Sequence, residues 1–149
     1  MEARLLDTIF AYSSIAFNLL VSILYLVSKS GNMQLTQVIG IIILLLTIPF
    51  TITLLGYIKL KESKKTIISN TIILFYFSLE ILLDYVLKIP FREMLTIHVL
   101  YILVLYAALF SMMAISWEKN RKTGRIVVAT FIILLTCLAY YLAPDTGVS

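Results

Sequence analysis

The chain has 149 residues, of which 61% are hydrophobic and 13% are charged, with a net charge of +4. A water-soluble domain carries about 25% charged residues, so this composition excludes a soluble globular domain. The basic balance does not indicate nucleic-acid binding, because the lysines and arginines lie in short segments between apolar runs. The single cysteine, Cys137, can form neither an intrachain disulfide nor a four-cysteine metal site.

Five apolar runs dominate the sequence, and each is close to or longer than the roughly 20 residues that cross a bilayer as a helix. The sequence therefore predicts an all-α integral membrane protein, with residues 1–149 forming a single transmembrane domain. We expect a compact bundle of five transmembrane helices with short loops. The predicted spans are residues 5–27, 38–58, 66–89, 94–117 and 126–143.

Small and weakly polar residues recur at helical spacing in the first and fourth predicted spans. Ser14 and Asn18 lie on one face of the first span, and Ala107 and Ser111 lie on one face of the fourth. Such faces are typical of helix–helix packing in lipid. A pore lining is the alternative for the first span.

The connections between the spans carry recognisable turn and helix-breaking residues. Gly31 and Asn32 predict a turn after the first span, and Pro49 predicts a kink near the middle of the second. Pro90 ends the third span. Because the connection to the fourth span is short, the third and fourth helices should be antiparallel neighbours. Gly124 is the predicted turn residue of the last loop, residues 118–125.

Basic residues are distributed unequally between the two ends of the predicted bundle. Nine lie at the end that holds the N-terminus and three lie at the other. Because lysine and arginine are retained on the cytoplasmic side, the N-terminus is predicted to be cytoplasmic and the C-terminus external. Residues of two basic loops are also candidate contacts for lipid headgroups. These are Lys59, Lys61, Lys64, Lys65, Lys119, Arg121, Lys122 and Arg125.

Two acidic residues, Glu80 and Asp84, interrupt the third span. A charged side chain at the centre of a membrane helix costs roughly 2.5–3.5 kcal/mol, so both need an explanation. They are four residues apart and share one helix face with Tyr76. On the antiparallel fourth span, His98 and Tyr101 are three residues apart and lie at a matching depth.

Three alternatives remain open for this cluster. In the first, it is structural, with one acid neutral or paired with His98, Lys88 or a backbone group. In the second, Glu80 and Asp84 bind a cation or a proton in an external vestibule, assisted by His98 and Tyr101. In the third, Glu80, Asp84 and His98 are metal ligands.

Three functions follow from these alternatives. The first hypothesis is a small ion, proton or solute transport protein that uses Glu80, Asp84 and His98. The second is an accessory or assembly subunit of a membrane complex in which the acids are structural. The third is a membrane-embedded enzyme that acts on lipid, although no enzyme motif is present in the sequence.

The sequence requires no cofactor and indicates partners only of certain kinds. The expected partners are the lipid bilayer and a second copy of the chain or another membrane subunit, and not nucleic acid. The expected location is the cell membrane, as a multi-pass protein.

Overall fold

The computed structural model describes residues 3–88 and 94–143. Within these ranges the chain is helical and contains no strand. The elements are α1 (Ala3–Ser30), α2 (Met33–Leu45), α3 (Thr47–Lys59), α4 (Lys64–Ile81), a π-helical segment (Leu82–Val86), α5 (Leu95–Lys119) and α6 (Arg121–Leu142).

Five helical stretches are long and apolar enough to cross a membrane, which confirms the predicted all-α fold with five such helices. The second stretch, Met33–Lys59, consists of α2 and α3, and the third, Lys64–Val86, consists of α4 and the π-helical segment. The orientation of the bundle in a membrane stays a prediction. The predicted end of the third span at Pro90 lies outside the described residues.

The second span is interrupted at Leu46, three residues before Pro49. The N–H of Leu46 donates to the Ile43 carbonyl at 3.0 Å, in a tighter turn than an α-helix. Pro49 has no N–H to donate to the Leu45 carbonyl, and its ring crowds that turn. The predicted kink therefore takes the form of a short break between α2 and α3.

The connection between α5 and α6 differs from the predicted eight-residue loop. α5 continues to Lys119 and α6 begins at Arg121, so only Asn120 separates them. Asn120 is extended, with φ −157° and ψ 112°, and its side-chain oxygen accepts the N–H of Lys122 at 2.9 Å. This N-cap lets the charged residues form the first turn of a helix. Gly124, predicted to be the turn residue, lies inside α6.

Helix α1 organises the bundle by packing against α2, α3, α5 and α6, while α4 packs against α3 and α5. Aromatic side chains fill the space between these helices, with neighbouring ring centroids 5.4–6.4 Å apart. All are at most 7% exposed. We call this set the aromatic column; its members are Phe10, Phe17, Phe50, Tyr57, Tyr76, Phe77 and Tyr101.

Candidate functional site

Tyr76, Glu80 and Tyr101 form a hydrogen-bonded group, here called the tyrosine–glutamate cluster, between α4 and α5. The hydroxyl oxygens of Tyr76 and Tyr101 are 3.1 Å apart. Tyr76 also donates a long hydrogen bond, 3.4 Å, to Oε2 of Glu80, and the Tyr101 hydroxyl lies in hydrogen-bonding range of the same carboxylate. Both rings are buried and Glu80 is half-buried. The structure thus brings Glu80 and Tyr101 together, as their matching depth predicts.

Asp84 lies one turn further along, in the π-helical segment. There the N–H of Leu87 donates to the Leu82 carbonyl at 2.9 Å, five residues back rather than four. A π-turn of this kind widens the helix and often occurs at functional sites. Asp84 is half-buried, and like Glu80 it has an interaction partner.

His98 lies beside Tyr101 of the cluster. The two rings are nearly parallel, with an interplanar angle of 18° and centroids 6.5 Å apart. The Nδ1 atom of His98 is buried and has no hydrogen-bond partner among the described residues. An unsatisfied buried polar atom costs about 1–3 kcal/mol, so this nitrogen needs a partner that the described residues do not supply.

The cluster does not have the composition of a metal site. Within residues 3–88 and 94–143, no three histidine, cysteine, aspartate or glutamate side chains come close enough together to hold a metal ion. The hydroxyls of Tyr76 and Tyr101 lie next to the Glu80 carboxylate. The alternative that makes Glu80, Asp84 and His98 metal ligands is therefore not proposed.

Two buried asparagines connect helices within the apolar interior. Asn18 of α1 donates from Nδ2 to Thr130 Oγ1 at 3.0 Å and to the Val127 carbonyl at 3.3 Å, both on α6. Asn70 of α4 donates to Thr53 Oγ1 of α3 at 3.0 Å. The sequence reasoning selected Asn18 for helix packing and missed Asn70. An amide in an apolar run was the available signal for both.

The other predicted packing residues are also placed in the helix interior. Ser14 is fully buried and donates to the Phe10 carbonyl of its own helix at 2.9 Å. Ser111 donates to the Ala107 carbonyl at 2.8 Å. Both hydroxyls donate to carbonyls of their own helix. These residues therefore contribute to helix packing through their small size and not through hydrogen bonds to another helix.

A second polar group, which the sequence reasoning missed, lies where the N-terminus of α1 meets the α3–α4 connection. Tyr57 donates to Oδ1 of Asp7 at 2.9 Å. Lys119 lies 2.8 Å from Oε2 of Glu62, and its ammonium is 5.4 Å from the centroid of the Tyr57 ring. We call this end the basic end, since the exposed lysines and arginines of both basic loops share it.

Lys119 therefore differs from the other candidate headgroup contacts. Its side chain is 17% exposed and is held by Glu62 within the protein, so it is not free to bind a headgroup. The remaining candidates are exposed, as the headgroup hypothesis requires. They are Lys59, Lys61, Lys64, Lys65, Arg121, Lys122 and Arg125.

Two grooves open on the surface near the basic end, and neither is lined by Glu80, Asp84 or His98. The larger, between α4, α5 and α6, has a volume of 460 Å³. The smaller, between α1 and α3, has a volume of 220 Å³ and includes Leu6 and Gly56. Comparison of the chain with protein-family models, with curated proteins and with solved structures gives no match.

Proposed function

We propose that this chain is a multi-pass cell-membrane protein that contributes its helices to a larger membrane assembly and conducts no ion through its own bundle. The aromatic column carries the proposal. Phe10, Phe50 and Phe77 are at most 1% exposed, and they pack in series between the two polar ends, one pair edge-to-face and the other tilted. Close-packed rings of this kind leave no space for a hydrated ion.

The acidic residue Glu80 has a structural role in this proposal. A carboxylate in a membrane helix is tolerated when it has partners inside the protein. Tyr76 supplies one from the same helix and Tyr101 supplies one from α5. The cluster therefore fastens α4 to α5, as Asn18 fastens α1 to α6.

The second span offers the face for a partner helix. Only 22% of its most apolar stretch is buried inside the protein, the same share as in Arg121–Leu142, so the spacing of its exposed residues is what distinguishes it. Exposed apolar residues follow one another along it at intervals of three and four, the spacing of a coiled-coil seam. These residues are Val38, Ile41, Leu45, Ile48, Ile52 and Leu55.

Site-specific photo-crosslinking in cell membranes tests this assembly. A photoreactive residue at Ile48, on the seam, should yield a discrete crosslinked product with a second copy or another membrane protein. The matched control is Ile68 of α4, which is 58% exposed and not on the seam; Ile48 is 60% exposed. Equal products at the two positions, or none at Ile48, would contradict the proposal.

Proton or cation binding by Glu80, Asp84 and His98 is the second candidate function. The Nδ1 atom of His98, which is buried and has no hydrogen-bond partner among residues 3–88 and 94–143, favours it, because an imidazole nitrogen can bind a proton or a metal cation. Flux measured in liposomes separates the two candidates. Assembly predicts no flux above protein-free liposomes, whereas transport predicts a flux that folded Glu80→Gln loses and Glu118→Gln, at the other end, keeps.

A further inference from the structure

The larger groove combines an apolar wall with a polar mouth. Met113 and Ala114 of α5 and Val128 of α6 form the wall. Trp117, Lys65 and Glu118 complete the lining, close to the ends of their helices. The groove has a volume of 460 Å³ and is open to the surface rather than enclosed. In a membrane, this groove faces lipid along its wall and the headgroup layer at its mouth.

One positive and one negative charge stand together at the mouth. Nζ of Lys65 lies 3.8 Å from Oε2 of Glu118, and the side chains are 72% and 48% exposed. An ion pair this long and this exposed contributes little stability. Both groups are therefore available to a ligand that carries the complementary charges.

We propose that this groove binds a phospholipid with an ethanolamine-type headgroup. An acyl chain lies along Met113, Ala114 and Val128. The Lys65 ammonium donates to the phosphate, and the primary ammonium of the lipid donates to the Glu118 carboxylate. The amphipathic ring of Trp117 marks the headgroup level, where tryptophan is enriched in membrane proteins.

Charge complementarity selects this headgroup over the two common alternatives. A choline headgroup carries three N-methyl groups and has no N–H to donate to Glu118. An anionic headgroup places an uncompensated negative charge beside the Glu118 carboxylate, with a single lysine lining the site among the described residues. Anionic lipids are instead recognised by clusters of several basic side chains.

Native mass spectrometry of the detergent-purified full chain tests the proposal. The probes are three phospholipids with identical acyl chains and ethanolamine, choline or glycerol headgroups. We expect the ethanolamine lipid to be retained up to about fivefold better than the choline lipid, the effect of one exposed charge pair worth up to about 1 kcal/mol. Equal retention, or a preference for the anionic glycerol lipid, would overturn the proposal.

Variants at exposed positions test the contact to the lipid ammonium and the contact to the phosphate separately. Glu118→Gln should remove the preference for ethanolamine over choline, and Lys65→Gln should weaken binding of all three lipids. Lys64→Gln is the control, because Lys64 is exposed beside Lys65 but does not line the groove. A preference that survives in Glu118→Gln would contradict the proposed contact.

A third variant tests the acyl-chain site independently of charge. Ala114→Phe places a ring in the groove and should reduce retention of every lipid several-fold. Ala139→Phe adds the same ring at an exposed position of α6 away from the groove and should change nothing. Thermal unfolding of each variant verifies its fold. Unchanged retention in folded Ala114→Phe would overturn the assignment.

Discussion

A methyl group added at Gly124 would test how closely α5 and α6 pack. A Cβ atom built at this position lies 2.8 Å from the backbone nitrogen of Trp117 and 3.1 Å from its Cβ. Backbone atoms cannot rotate away, so the helices must move apart. Overpacking of this kind costs about 1–3 kcal/mol, against a gain of about 1 kcal/mol from replacing glycine by alanine in a helix. We expect Gly124→Ala to lower the free energy of unfolding by up to about 2 kcal/mol.

Two other helical glycines provide graded controls. At Gly40, a Cβ would meet only the Tyr85 hydroxyl, at 3.6 Å, so Gly40→Ala should stabilise the protein by up to about 1 kcal/mol. At Gly56, an added Cβ would lie 2.5 Å from Cδ1 of Leu6, which is the movable end of a fully buried side chain. The free energy of unfolding of Gly56→Ala should therefore lie between those of Gly124→Ala and Gly40→Ala.

The assay for this series is SDS-induced unfolding in detergent micelles. The fluorescence of Trp117 reports the transition, since it is the single tryptophan of the chain and lies at the contact being tested. If Gly124→Ala proves as stable as Gly40→Ala, α5 and α6 are not in backbone contact at this point and the reasoning is refuted.

Two further predictions concern the polar contacts between helices. Asn18→Leu removes the hydrogen bonds between α1 and α6 and should lower the free energy of unfolding by about 0.6–1.7 kcal/mol in the same assay. The control, Thr136→Val, removes an exposed hydroxyl of α6 that bonds to its own helix and should cost less than about 0.5 kcal/mol. Equal losses in the two variants would contradict a role of Asn18 in joining the helices. Glu62→Gln leaves the largely buried Lys119 without its carboxylate and should lower the free energy of unfolding by about 1–3 kcal/mol, between the values for exposed and buried ion pairs. The control, Glu118→Gln, changes an exposed carboxylate and should be nearly neutral. An unchanged stability in Glu62→Gln would contradict the prediction.

The number of spans could be predicted from the sequence because apolar length alone determines it. The ends of the spans could not, because they depend on single capping residues. Asn120 ends α5 and caps α6 within one residue, and Ser63 begins α4 by accepting the N–H of Thr66 at 3.3 Å. The charge-rich segment 118–125 is therefore helical on both sides of Asn120, although its composition indicated a loop.

The candidate site could be predicted in part. Glu80 and Tyr101 come together because two antiparallel helices fix their depth, and depth can be counted along the chain. The π-helical segment around Asp84 has no sequence signature, so the geometry beyond Leu82 could not be derived. The pairing of Glu62 with Lys119 was also missed, because 57 residues separate them and helical periodicity says nothing about which loop meets which helix end.

Two polar contacts of the bundle, one near each end, share the same arrangement. Asp7 binds Tyr57 of another helix, and Glu80 interacts with Tyr101 of another helix. In both contacts, a carboxylate of one helix lies beside the hydroxyl of a tyrosine that belongs to the aromatic column. A phenol fills an apolar interior with its ring and offers one hydroxyl to a polar group, so it can satisfy an acid without bringing water into the bundle. The two acids thus fasten the ends of the packed core to neighbouring helices.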